Sequence, residues 1–200
     1  MSCRGLILAG ALALAGCGPS EPVSSSAPAP ATSIAQSAIL APATSAPSKA
    51  AADSIAHYDG YGDTRFGMDE AAFDQARGDK LSGKPDEGSS CFYKSEASTA
   101  ASRELGFMFE NGQFVRYDVY TAEQAAPGGG RVDMTEAQIR ALYGKGLEEQ
   151  RHKYVDGAKY LRVPAPSGKS ALLFETDEQG KISRWRVGVP PQVDYVEGCS

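Results

Sequence analysis

Two blocks of this chain occur twice, in the same order and about 66 residues apart, and such a repetition restricts the fold to a duplicated unit. Residues Arg65-Phe-Gly-Met-Asp-Glu-Ala-Ala-Phe-Asp-Gln-Ala-Arg-Gly78 lie over Arg131-Val-Asp-Met-Thr-Glu-Ala-Gln-Ile-Arg-Ala-Leu-Tyr-Gly144 with five identities in fourteen positions. Further on, Gly112-Gln-Phe-Val-Arg-Tyr-Asp-Val119 lies over Gly180-Lys-Ile-Ser-Arg-Trp-Arg-Val187, with Gly, Arg and Val identical. The first block of each half reads as a short helix. Thr135 is a good N-cap and Gln138 completes a capping box, while Asp69 caps the first copy alone. Gly78 and Gly144 stand where a left-handed residue ends a helix. Phe73 with Ala76, and Ile139 with Leu142, share one face at helical spacing.

The second block supplies what those faces pack on. Asn111-Gly112 between two β-prone runs is a hairpin signal that pairs Phe109 with Phe114. The corresponding turn of the second half runs through Asp177 and Gly180 and pairs Phe174 with Ile182. Further strands are expected at 90–94 and 159–163. The expected fold is therefore α+β: two tandem repeats, about 61–126 and 127–200, each a short helix plus an antiparallel β-meander, with the helices packed on one face of a sheet. Alternation leaves open which sheet face is core. One face carries Phe107, Phe109 and Phe114 with Leu172, Phe174 and Ile182. The other carries Met108, Val115 and Tyr117 with Leu173, Trp185 and Val187. If the first face is buried, Tyr117 and Trp185 form an exposed aromatic patch and are the binding residues. The competing reading makes both of them core.

Composition divides the chain before this repeat begins. Of the 39 residues from 18 to 56, 27 are Ala, Pro or Ser, and all seventeen aromatic side chains lie from Tyr58 onward. A segment with so little to bury cannot offset the entropy of ordering its backbone. It is expected to be a disordered tether, and 57–200 the folded domain. Ahead of it, Arg4 followed by the apolar run Leu6 to Leu14 has the layout of a secretory signal peptide over 1–16. Leu14-Ala15-Gly16-Cys17 resembles the lipobox of bacterial lipoproteins, which implies cleavage before Cys17 and acylation of that residue. Several acyl chains at roughly 0.8 kcal/mol per buried methylene make a lasting anchor. By the sorting rule of such lipoproteins, Gly18 implies the periplasmic face of the outer membrane.

Export also bears on the remaining cysteines, because two cysteines in an oxidising compartment usually pair. Cys91 and Cys199 are the expected disulfide. Little else points to chemistry. Two histidines, His57 and His152, lack the neighbours that a metal site needs, and His152, in a polar stretch, reads as a surface residue. Ser167-Gly168-Lys169-Ser170 ends like a phosphate loop, but Val163 stands where the required glycine belongs. Glu148-Glu149 and Asp177-Glu178 read as helix surface and a solvated turn. A net charge of −5, from 20 basic and 25 acidic side chains, argues against nucleic acid as a partner. Neither a cofactor, a metal nor an enzyme activity is expected.

The helix signatures Gly67-Met68-Asp69 to Gly78 and Met134-Thr135 to Gly144, each followed by a hairpin with a Phe-x-x-x-Gly pattern, resemble a class of small bacterial envelope domains. These are outer-membrane assembly lipoproteins of the SmpA/OmlA type and tandem-repeat β-lactamase-inhibitor proteins. Asp133 departs from the glycine of that motif and Asp69 from its threonine. The resemblance implies a non-catalytic module that binds a periplasmic protein. A lectin-like module binding an envelope glycan through the same aromatics is the alternative.

Overall fold

The computed structural model of the chain describes residues 55–78, 81–96 and 103–199, so the expectations for the signal peptide, for Cys17 and for nearly all of the tether lie outside the described residues. In chain order the elements are β1 (Ala56–His57), β2 (Gly60–Tyr61), β3 (Thr64–Arg65), α1 (Glu70–Arg77), β4 (Cys91–Lys94), β5 (Leu105–Glu110), β6 (Gln113–Val119), α2 (Glu136–Tyr143), β7 (Glu148–Arg151), β8 (Lys159–Pro164), β9 (Ala171–Thr176) and β10 (Ile182–Gly188). Among the described residues the fold is α+β and mostly β, with two sheets and two short α-helices. β1 to β3 form a small sheet, and the other seven strands form an antiparallel sheet in the order β4-β5-β6-β10-β9-β8-β7. Two boundaries differ from expectation. Ala56 is buried in β1 rather than lying in the tether, and Glu148-Glu149 belong to the exposed edge strand β7 rather than to a helix surface.

Both helices start and stop at the expected residues because their caps satisfy backbone groups that the helix leaves open. The Asp69 carboxylate accepts from the Ala72 amide at 2.8 Å, and Gly78 closes α1 at φ 70°. At α2 the Thr135 hydroxyl accepts from the Gln138 amide while the Gln138 side chain accepts from the Thr135 amide, a complete capping box. Helices of two turns need tertiary packing to persist. Phe73 provides it for α1, with ring centroids 4.9 to 5.1 Å from Phe107, Phe109 and Phe114. In α2 Ile139 is buried as expected, but its companion is Tyr143, which packs on Phe174 at 5.3 Å, while Leu142 points outward at 48% exposure. Thr135→Ala is expected to lower stability by about 1 kcal/mol in urea unfolding, the usual loss for a removed N-cap.

The decisive departure from simple alternation lies in β6 and β10. Phe109 pairs with Phe114 as the Asn111-Gly112 turn predicts, but the next pair is Met108 with Arg116, so Val115 is an extra, bulged residue. From there the faces exchange: Tyr117 and Val119 turn inward beside Phe107, and Arg116 and Asp118 turn to the opposite side. β10 does the same, with Ser183 bulged between Ile182 and Arg184, so that Trp185 pairs with Phe174 and Val187 with Leu172. Ile182 pairs with Thr176, and not with Phe174 as expected. Two further contacts correspond between the halves. Gln113 at the start of β6 bridges to Asp69, and Lys181 just ahead of β10 bridges to Thr135. In each half the residue two before the helix cap has positive φ, 89° at Gly67 and 68° at Asp133.

One core results, on the inner face of the large sheet, holding Phe73, Phe107, Phe109, Phe114, Tyr117, Ile139, Leu161, Leu172, Phe174 and Trp185. Gly130 lets the chain pass over it. A Cβ at that position would stand 2.4 Å from the Phe174 ring and 3.0 Å from Ile139, so a larger residue would have to displace the buried Phe174 ring.

Candidate functional site

Tyr117 and Trp185, the residues expected to form a binding patch, are both fully buried. Their rings meet edge to face at 5.9 Å, and the Tyr117 hydroxyl donates to the His57 carbonyl at 2.8 Å. The expectation of an exposed aromatic surface is therefore corrected: the two bulges rotate both side chains into the core, and no partner reaches them. Cys91 and Cys199 are joined, as expected, with Cα atoms 5.3 Å apart.

What the bulges turn outward is charge. Arg116 and Asp118 are both buried, with the guanidinium Nε donating to Asp118 at 2.9 Å. Tyr93 donates to the same carboxylate at 3.0 Å, and burial together with that negative charge pushes the Tyr93 phenol well above its ordinary value. Burial works against the Arg116 charge, but Asp118 outweighs it and the guanidinium is held more firmly protonated. In the second half Glu175 takes hydrogen bonds from Arg184 at 2.7 and 2.8 Å and from Arg186 at 3.1 Å.

His152, expected on the surface, is buried here instead. Its ring stacks on Tyr160 at 4.6 Å, and its Nδ1 accepts from the amides of Tyr154 and Val155. That leaves Nε2–H to donate to Glu175 at 2.9 Å.

The C-terminal segment 189–199 lies over this polar face as a strap. Arg116 donates to the carbonyls of Gln192 and Tyr195 at 3.0 and 2.7 Å, and Arg186 to that of Val193 at 2.8 Å. Val193 packs with Tyr160, Ala171 and Leu173 in a second, small apolar cluster. Every charge of the belt thus serves a partner inside the protein, so the belt reads as structural. Burial pushes the Glu175 carboxyl upward, but Arg184, His152 and Arg186 together hold it below its ordinary value of 4.5. A carboxylate lowered in the folded state contributes stability above its unfolded value, and that contribution is lost as the pH falls through the folded-state value. The stability gap between the native chain and Glu175→Gln is expected to be largest at neutral pH and to shrink below about pH 4.5; urea midpoints measured from pH 7 to pH 3 check it.

Among the described residues, a concavity that can take a ligand lies at the C-terminal end of α1. A cleft of about 720 Å³ opens there, lined by Tyr61, Arg77, Leu81, Glu104, Leu105 and Phe107 among others. Its floor is aromatic. Tyr61 meets Phe107 edge to face at 5.5 Å and donates to the Gln124 side chain at 3.0 Å, and the Arg77 guanidinium lies 4.8 Å over the Phe107 ring. Ile55, Leu81 and Leu105 make an apolar wall, and the exposed carboxylates of Glu96 and Glu104 stand at the rim with Gln124 and Thr121. Sequence reasoning missed these residues because they come from the ends of separate elements, with no spacing that a motif could record. The arrangement provides apolar area, hydrogen-bond partners and negative charge in one concavity, as binding sites do.

No family model and no curated protein matches this chain. Among solved structures, the uncharacterized protein YfeY from Escherichia coli is similar at 13% identity and a TM-score of 0.44, over 66% of this chain and 98% of that one. An extracellular protein containing a SCP domain from Bacillus anthracis is similar at 9% identity and a TM-score of 0.41, over 62% of this chain. This chain spans 44% of that protein's length. A DUF4309 family protein, YjgB, from Bacillus subtilis is similar at 9% identity and a TM-score of 0.34, over 61% of this chain and 78% of that one. At these values the likenesses carry neither a family nor an activity.

Proposed function

We propose that this chain is a lipid-anchored envelope protein of the periplasmic face of the outer membrane, exported by its signal peptide, acylated at Cys17, and acting as a non-catalytic module that binds a periplasmic protein. Its domain is read as a tandem duplication of a helix-plus-meander unit like that of SmpA/OmlA-type and β-lactamase-inhibitor proteins. The matched bridges Asp69 to Gln113 and Thr135 to Lys181, with matched bulges at Val115 and Ser183, support the duplication. The observation that carries the binding role is the cleft beside α1, with its apolar wall and carboxylate rim. It replaces Tyr117 and Trp185 as the place where a partner docks.

The lectin-like alternative needs an exposed ring for a sugar to stack on. Tyr61 and Phe107 in the cleft are fully buried, and Tyr154, the one strongly exposed ring among the described residues, has Lys153 over it at 4.8 Å. A photoreactive amino acid at position 81, activated in intact envelopes, tests the reading. Cross-links to a protein are expected. Labelling of glycan alone favours the alternative, and adducts formed only within the chain itself overturn both.

A further inference from the structure

We infer that the cleft beside α1 takes a basic, amphiphilic peptide segment, one cationic side chain reaching Glu96 and Glu104 while an apolar neighbour covers Leu81 and Leu105. The inference rests on the binding role proposed above and adds the chemistry of its partner. Three observations lead to it. First, the volume of about 720 Å³ suits a few side chains rather than a whole domain surface. Second, the wall residues Ile55, Leu81 and Leu105 keep part of their surface in solvent, so covering them removes apolar area from water. Third, the described lining carries more negative than positive charge. Two exposed carboxylates, Glu96 and Glu104, stand at the rim, and neither has an ion-pair partner among the described residues.

The one cation among the described lining residues, Arg77, holds its guanidinium 4.8 Å from the Phe107 ring centroid and 5.5 Å from that of Tyr61. The described part of the rim is negative, which repels an acidic segment and steers a basic one. An overall charge of −5 acts in the same direction at longer range.

Titration calorimetry of the detergent-solubilised full chain with three synthetic peptides, acetyl-Gly-Leu-Xaa-Leu-Gly-amide with lysine, norleucine or glutamate as Xaa, tests this. The lysine peptide is expected to bind about tenfold more tightly than the glutamate one, and to lose that advantage as salt rises from 50 to 500 mM. Glu96→Gln with Glu104→Gln is expected to erase the preference without changing the melting temperature, since both side chains are exposed. Leu81→Asp is expected to weaken all three peptides. Norleucine binding as well as lysine, or a preference that survives the double substitution, overturns the inference. Cross-links to a protein at position 81 would then still leave the binding role standing. No peptide binding together with no cross-linked protein removes both.

Discussion

Asp118→Asn is expected to lower the stability of the chain by about 3 to 5 kcal/mol, the usual result of removing one partner from a buried ion pair. Arg116 is 2% exposed, so its guanidinium cannot turn to water when Asp118 loses its charge. The Tyr93 hydroxyl also loses a charged acceptor. Urea unfolding at pH 7 measures the effect, and a loss under 1 kcal/mol would show that the belt is less desolvated than its burial implies. Replacing the pair together, Arg116→Met with Asp118→Leu, is expected to recover most of the stability, because two apolar side chains need no partners. It does not restore the strap. The carbonyls of Gln192 and Tyr195 lose their donor in the double variant, and amides of the strap are expected to exchange faster with solvent than those of β6 and β10.

The same belt explains how far the sequence could be read. Caps, glycine stops and the Asn111-Gly112 turn are local chemistry, and each element they predicted formed at its place. The disulfide followed from compartment and cysteine count. The sheet faces did not follow, because a period of two holds only while the ladder is unbroken, and one inserted residue reverses every later side chain. Val115 and Ser183 carry no marker of a bulge: neither is glycine, and both sit in runs that read as ordinary strand.

The exchange of faces puts Tyr117 and Trp185 in the core and Arg116 and Asp118 on the opposite side, where unbroken alternation sets Arg116 beside Phe107. His152 misled for a different reason. Its partner Glu175 is 23 residues away, on a strand whose neighbours were not in view. The cleft was the least legible feature, since Tyr61, Arg77, Glu96, Glu104 and Gln124 meet only through the tertiary fold. Even so, the two bulges fall at corresponding positions of the two aligned blocks, so the repeat, once noticed, would have turned one observed bulge into an expectation for the other.

Cys91→Ser with Cys199→Ser is expected to cost about 4.7 kcal/mol, because the bridge spans 108 residues and its removal frees a loop of that size in the unfolded chain. Much of the effect lies in the unfolded ensemble, so the core should be unchanged in the variant. The strap should not be. With the bridge intact, residues 189–199 are held at both ends, by the chain from β10 and by the sulfur bond to β4. Without it they are held by three hydrogen bonds from Arg116 and Arg186, by the packing of Val193 and by surface contacts such as Lys153 with Glu197.

Hydrogen bonds of that kind contribute about 1.5 to 3 kcal/mol each when the donor is charged, so the strap is expected to stay docked on average but to open far more often. The Val193 amide, bonded to the Val189 carbonyl at 2.9 Å, reports this directly. Its exchange should speed up in the variant by more than the global loss explains at equal distance from the denaturation midpoint. Equal acceleration of strap and sheet amides would mean instead that the strap unfolds only with the whole domain, and that the bridge is a brace on the unfolded chain rather than a latch over the charged belt.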